Sequence, residues 1–404
     1  MDTFDWIVIG NGLAGAALSY ELVCQGLSVL LVDDGNPDSA TRCSYGGIAY
    51  WSGTNPITQT LCDLGIERHR QLSEELGATT EFRELDLLLT FGVEVDGTSL
   101  VEQYDKFEIA PQLISATEAK GLEPQLTMAN LGGAFTVKHG HVNPIKTLSA
   151  LNQAFRRLGG QQMMATVTGL VTIKNKVTGI LTATQAYAAS NIVVAAGGYS
   201  RQLLRSNNLR VPLYHTHAEM VTLPKVDAHL QTLIMPAVAQ RFTAEHTASS
   251  ANTDHLWEGG PHEIASPILD SGVVQFLDGT TYIGQISRFR TDLAPNPVDV
   301  ATSEADMRQA ITEQLPCLAH APGQWRHSLV TFSRDGLPLL GPLPGVDGLH
   351  IFAGFTSPFA MLLPIAQRFA RWVCRSSHDS DGLLDKMQVT RFSQASTPKT
   401  PIAN

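Results

Sequence analysis

Apolar and polar positions divide the chain into segments of two rhythms, one of strands and one of helices. Residues 6–9 are an unbroken apolar run that stops at Gly10, and residues 13–23 follow with Ala, Leu and Val at helical spacing. A second apolar run, 28–32, stops at Asp33. This order predicts strand, tight turn, helix and strand in the first thirty-odd residues. Residues 61–76 carry the pattern of a one-sided helix, and 85–93 read as a strand. Another apolar stripe is opened by Pro144 and closed by Gly159 and Gly160, as a helix requires. Three β-type runs follow at 165–173, 176–184 and 191–196, the last ending in Gly197 and Gly198. Short β-type runs at 220–223, 273–277 and 281–285 precede a helix expected over 303–315. A strand over 349–353 ends at Gly354, and a helix is expected from about 357 to 373.

The turns between these runs carry the chemistry. Gly10, Gly12 and Gly15 form G-x-G-x-x-G between strand and helix. In that context one glycine permits the turn, one lets a pyrophosphate approach the backbone, and one lets helix and strand pack closely. The helix start then offers N–H groups and partial positive charge to phosphates. Asp33, about twenty residues on, can accept both hydroxyls of an adenosine ribose. The following 35–56 stretch is rich in Gly, Ser, Thr and Asn and is expected to be a long loop. In it Gly46 and Gly47 allow backbone to approach a flat ring, while Thr41, Arg42 and Ser44 can donate to oxygen; a solvated linker has the same composition. The helix expected after Gly354 points its N-terminus at whatever that glycine approaches, which suits an anionic ligand edge.

Composition narrows the function classes. The 404-residue chain is long enough for two cores, and its net charge of −10 argues against a nucleic-acid backbone as partner. Its five cysteines are widely spaced, with no C-x-x-C pair, which suits a reducing compartment. The acidic start runs straight into a strand and the most apolar late segment, 351–366, is short and contains Pro358 and Pro364. A cytoplasmic protein without membrane association is therefore expected. Two discontinuous domains follow from the order of patterns: a nucleotide domain from 1–80, 138–212 and 319–392, and a substrate domain from 81–137 and 213–318, with 393–404 a tail. The H-x-H-x-E run of His215, His217 and Glu219 has strand spacing for a metal, but the irregular spacing of the neighbouring His and acids reads as polar surface, and no metal is expected.

Several motifs together resemble the D-amino acid oxidase family of FAD-dependent oxidoreductases, which includes glycine and sarcosine oxidase-like proteins. They are VIGNGLAGAALSYELVCQG with Asp33, HGHVNPIKTLSAL, NIVVAAGGYSRQLL, YIGQ and RDGLPLLGPLPGVDGLHIFAGF, in the family's order across nearly the whole chain. The resemblance implies an α/β fold: a Rossmann-like, glutathione-reductase-type FAD domain plus an α+β substrate domain with a mainly antiparallel sheet. It places Gly10, Gly12, Leu13, Ala14 and Gly15 at the FAD pyrophosphate and Asp33 and Asp34 at the ribose. Arg42, Cys43, Ser44, Gly46 and Gly47 fall around the isoalloxazine, Val167 at the adenine, and Ala196 and Gly197 along the cofactor. Asp335 and Gly354, Phe355, Thr356 and Ser357 fall near the flavin's pyrimidine edge. The implied reaction is oxidation of a C–N bond of a small amine or amino acid by hydride transfer to flavin N5. A dehydrogenase with a non-oxygen acceptor, or a flavin-binding protein without amine turnover, are the alternatives.

Departures from the family pattern fall on the substrate side. Leu329 stands where an Arg clamps the substrate carboxylate, Ser357 and Phe359 replace residues of the closing motif, and His217-Ala218-Glu219 stands where R-G-Q is usual. Ser328 stands about where some relatives attach flavin through Cys, so non-covalent FAD is expected. The substrate side is left with Tyr45, Tyr50, Trp51, His217, Gln285, Arg288 and Phe359. Of these, Arg288, Tyr45, His217 and Gln285 are the catalytic candidates, Arg288 being the first choice for an anionic group. The aromatics fit a core equally well, and Arg288 with Arg290 a solvated strand end.

Overall fold

In a computed structural model, residues 3–238, 240–294, 298–375 and 382–396 are described. Among these residues the strands form two sheets that share one cleft. The first sheet is built on β1 (Phe4–Ile9), which pairs in parallel with β2 (Val29–Asp33) and with β10 (Ala186–Val194). It is extended by β7 (Gln161–Met164) beside β2 and by β17 (Leu349–Ala353) and β16 (Leu339–Pro342) beside β10, with β8 (Val167–Ile173) and β9 (Lys176–Thr182) branching from β10. The central strands are apolar on both faces, as a covered parallel sheet requires: Ile7, Val8, Val32, Val193 and Val194 are fully buried. One face is covered by α1 (Leu13–Cys24), α2 (Pro56–Leu76), α5 (Pro144–Arg157) and α9 (Pro358–Arg375).

The second sheet runs β15 (Gln324–Ser333), β11 (Leu213–Leu223), β14 (Thr281–Arg290), β13 (Glu263–Gln275), β12 (Leu233–Pro236), β4 (Arg83–Gly92), β6 (Leu131–His141) and β3 (Gly47–Ile48), with β5 (Gln112–Ser115) beside β6. All its pairings are antiparallel except β12 with β4. Helices α4 (Ala116–Leu122) and α8 (Val300–Thr312) pack on one of its faces. Helix α7 (Arg241–Ala248) crosses the other; α3 (Val101–Tyr104) and α6 (Ser200–Arg205) are under two turns long. β15 was expected in the nucleotide unit but pairs along ten residues with β11.

The sequence pattern underestimates β11, β13 and β14, because polar residues alternate on one face of each. They are satisfied there by one another: the Arg288 guanidinium pairs with the fully buried Glu219, which also accepts a bond from Trp325 Nε1 at 3.1 Å. Helix α2 begins at Pro56, in what reads as loop, because the Asn55 side chain accepts from the Ile57 and Thr58 N–H groups (both 3.1 Å). A capping box and a proline in the first turn together specify that start. Residues 397–404 of the expected tail lie outside the described residues.

The start of α9 is held by α2. A Cβ on Gly65 would lie 1.7 Å from the Ala360 carbonyl oxygen, and the His69 ring donates from Nε2 to the Phe359 carbonyl at 2.8 Å. Gly65→Ala is therefore expected to cost about 3 kcal/mol in denaturant unfolding, as overpacking against backbone does. Gly121→Ala, in α4 with nothing within 4 Å of the added carbon, should instead stabilise by up to about 1 kcal/mol. Equal effects at the two sites would show that the α2–α9 contact does not limit the fold.

Candidate functional site

Three glycines shape one end of the cleft, each for a different reason. Gly10 has φ +104°, and a Cβ there would lie 2.5 Å from the Ala195 carbonyl oxygen at the end of β10. A Cβ on Gly15 would lie 1.7 Å from the Gly10 oxygen, so α1 can pack on the turn only without one. At Gly12, Thr41 Oγ1 stands 3.2 Å from the same hypothetical carbon and accepts from the Leu13 N–H at 2.9 Å. The loop after β2 is thereby tied to the helix start. Asp33 accepts from the Asn11 N–H at 2.6 Å through one oxygen and from Gly35 at 2.7 Å through the other, keeping a second lone pair on each.

From this turn a cavity of about 1640 Å³ runs to the concave face of the second sheet. That is larger than the pocket of one drug-sized ligand and has room for a dinucleotide plus a small molecule. Its walls include Gly10, Gly12, Leu13, Ala14, Asp33, Asp34, Arg42, Cys43, Ser44, Gly47, Val167, Ala196, Gly197 and Asp335, then Gly354, Phe355, Thr356 and Ser357. These expected residues are brought together from four distant stretches of chain. Gly15 and Gly46 lie behind the wall: Gly46 has φ +71° and packs on the Val142 carbonyl, so its glycine serves the backbone rather than a ligand ring. The donor set and the side-chain-free cradle at Gly10 and Gly12 fit a dinucleotide pyrophosphate at the α1 N-terminus.

Of the catalytic candidates, Tyr45 and Gln285 line the cavity and Arg288 and His217 do not. Strand alternation is the reason. In β11, Ala218 and Met220 face the cavity, so His217 and Glu219 point to the opposite, helix-covered face, and Arg288 pairs with His217 in register. His217 Nε2 donates to the Asp292 carbonyl at 2.8 Å, and its Nδ1 meets His327 Nε2 at 2.8 Å; Arg288 is taken by Glu219 and Ser303. Tyr45 donates its single proton to the Gly284 carbonyl at 2.6 Å, and burial pushes its pKa well up, so it offers a ring rather than an acid. Gln285 is the extra residue of a bulge opposite Glu219 and Met220 and donates to Ser287 at 2.8 Å. Tyr50 is not on the wall, whereas Trp51 and Phe359 are.

The wall also contains residues that sequence spacing did not single out. His139 on β6 accepts at Nδ1 from Trp51 Nε1 at 3.0 Å, and burial pushes its pKa down to about 4. It is thus a neutral imidazole with its proton on Nε2, which lies 2.8 Å from where a Gly47 Cβ would stand. Tyr104 and Phe107 continue the aromatic wall around Trp51, and Lys106, Arg241 and Asp270 bring charge to it. Among the described residues no group of three or more His, Cys, Asp or Glu could hold a metal ion, and no helix is long and apolar enough to cross a membrane.

A parallel sheet with a glycine turn at its strand ends, facing a mainly antiparallel sheet across one elongated cavity, defines a dinucleotide-dependent oxidoreductase. The family model described as FAD dependent oxidoreductase (DAO) matches residues 5–372, and the chain belongs to that family, whose cofactor is FAD. It is 23% identical over 414 residues to 4-methylaminobutanoate oxidase (formaldehyde-forming) of Paenarthrobacter nicotinovorans, covering 96% of this chain but 45% of that protein. It is 22% identical to glycine oxidase of Pseudomonas putida, covering 89% of this chain and 91% of the relative. Among solved structures, glycine oxidase from Bacillus cereus superposes with a TM-score of 0.72 at 17% identity, covering 96% of this chain and 98% of the other. L-proline dehydrogenase from P. horikoshii gives 0.73 at 16%, covering 97% and 98%.

Two outcomes follow from this geometry. Arg288→Gln should leave FAD affinity unchanged while lowering stability by about 3–5 kcal/mol, because it strands the buried Glu219 charge; a loss of FAD without loss of stability would put Arg288 back in the site. Burial holds His69, His139, His215 and His350 down to about 4 and His141 to about 3. The unfolded chain takes up these protons below about pH 6.5 and the folded one does not, so the stability present above that pH is lost on acidification. The slope reaches about 1.4 kcal/mol per pH unit for each histidine between about pH 6.5 and 4. Denaturant midpoints at pH 7 and pH 5 check this, and a flat profile contradicts it.

Proposed function

We propose that FAD lies non-covalently along this cavity and that the protein oxidises the C–N bond of a small amine or amino acid on the concave face of the second sheet. The observation that carries the reading is the continuity of the cavity from the Gly10–Gly12 turn to the wall of Trp51, His139 and Gln285. In this reading Gly12, Leu13 and Ala14 receive the pyrophosphate on the α1 N-terminus, Asp33 and Asp34 the ribose, and Val167 the adenine side. Arg42, Cys43, Ser44 and Gly47 surround the isoalloxazine, with Gly354, Phe355, Thr356 and Ser357 at the start of α9 on its electron-rich edge. The segments of the first sheet then form the cofactor unit and those of the second the substrate unit. When bound, FAD supplies a two-electron acceptor for a hydride from the carbon beside nitrogen.

The protein's own part is positioning and exclusion of water. Trp51, Tyr104 and Phe107 present apolar surface to the substrate space, and the neutral His139 presents an N–H donor that stays uncharged across the physiological range. Tyr45 holds the 43–47 loop against β14 through Gly284 rather than exchanging protons. Small-molecule substrates fit this space, and the widely spaced cysteines support a cytoplasmic location.

Anaerobic mixing of the FAD-loaded protein with a panel of primary and secondary amines and amino acids tests the reading. Bleaching of the yellow flavin band by at least one of them is expected, and no bleaching by any would sink amine oxidation. After acid precipitation the flavin should remain in the supernatant; colour retained in the pellet would mean a covalent link.

A further inference from the structure

Among the charged residues on the cavity wall, Arg241 and Asp270 are a cation and an anion on neighbouring elements whose hydrogen-bonding capacity the protein leaves largely unused. Arg241 opens α7, and its Nε faces Glu245 Oε1 at 3.2 Å. Glu245 is itself buried and held by Thr216 Oγ1 at 3.1 Å, so a fixed carboxylate stands behind the guanidinium, whose Nε makes no hydrogen bond to it. Among the described residues nothing takes a hydrogen bond from its two terminal nitrogens, and the residue lines the cavity.

Asp270 stands on the facing strand, β13, in the irregular stretch between the Leu269–Ile286 and Gly272–Gly284 pairs. Such an interruption re-aims a side chain out of the regular ladder. No described residue donates a hydrogen bond to its carboxylate or forms an ion pair with it. Burial raises its pKa, and the charge of Arg241 opposes that rise, so the two groups sense each other. They are nevertheless farther apart than the 4.0 Å of an ion pair. A guanidinium with free terminal nitrogens and an unpartnered carboxylate, both on the wall of one cavity and not paired with each other, make a two-point receptor of opposite charges.

We propose that Arg241 and Asp270 set the substrate specificity of this site by recognising a small zwitterion, its carboxylate on the Arg241 fork and its amine beside Asp270. The assignment rests on the amine-oxidation reading and answers the question left by Leu329: the anionic end of the substrate is received from α7 rather than from β15. Tyr45 packs against Gly272, two positions along β13 from Asp270, which puts the amine end toward the 43–47 loop. Both residues belong to α7 and β13, outside the glycine turn and the strand ends of the first sheet.

The test is anaerobic calorimetric binding to the FAD-loaded protein, its flavin reduced beforehand with dithionite so that no turnover occurs, of sarcosine, a zwitterion, and of its two halves, acetate and dimethylamine. Sarcosine should bind roughly tenfold or more tighter than either half, each charge-assisted contact being worth about one decade. Arg241→Gln should weaken sarcosine and acetate by roughly tenfold or more and leave dimethylamine unchanged, with Arg241→Lys recovering part of the loss. Asp270→Asn should weaken sarcosine and dimethylamine comparably and leave acetate equal or tighter. Unfolding midpoints of the variants separate a lost contact from a lost fold. Acetate affinity unchanged in Arg241→Gln, dimethylamine affinity unchanged in Asp270→Asn, or sarcosine no tighter than its halves in the parent overturns the proposal. If the binding pattern holds but no amine bleaches the flavin, the receptor stands and the amine-oxidation reading falls.

Discussion

The structure depends on one close contact: the crossing of the β1–α1 turn, the end of β10 and the first turn of α1 at Gly10, Gly15 and Ala195. Carbons added at Gly10 and Gly15 would lie 2.5 Å and 1.7 Å from carbonyl oxygens, distances no side chain can occupy. Because the backbone passes this closely, the N-terminus of α1 opens into the cleft instead of being capped by its own sequence; Gly12 contributes no side-chain bond. The neighbouring loops are then referenced to the turn, Asp33 through Asn11 and Thr41 through Leu13. A cofactor end of this kind is rigid because it is made of backbone, and the proposed pyrophosphate position follows from N–H direction more than from any side chain.

The parts of this arrangement that were legible in sequence are those written in short spacing. The first strand, its glycines, the helix and the acid at the second strand's end all lie within thirty-odd residues, and the strand over 349–353 is found at those bounds. Each rests on local stereochemistry, a positive φ or an apolar run, which one stretch of chain decides. His217 and Arg288 were misplaced because a period of two makes one-half of a strand's residues face away, and residue type does not say which half. Both belong to a polar network that is satisfied on the α8 side. Gln285 did reach the cavity, through a bulge that no composition signal marks.

Arg241, Asp270 and His139 were not legible for a further reason. Their roles come from tertiary placement: α7 crossing the concave face, a register interruption in β13, and an indole donating to an imidazole 88 residues away. The glycine turn and its acid are written within one short stretch, whereas Arg241, Asp270 and His139 reach the same cavity from segments distant in sequence. The family model nevertheless matches residues 5–372, although the named oxidase relatives are only 22–23% identical to the chain.

The central claim is that one continuous cavity holds FAD along its length and presents the reactive ring to the concave face of the second sheet. A crystal structure of the FAD-loaded protein measures this directly. The account predicts the pyrophosphate against Gly12, Leu13 and Ala14, and the isoalloxazine between the 42–47 loop and the start of α9, open toward Trp51, His139 and Gln285. A flavin ring lying on the His217 and Arg288 face, or a pyrophosphate away from the glycine turn, would contradict it.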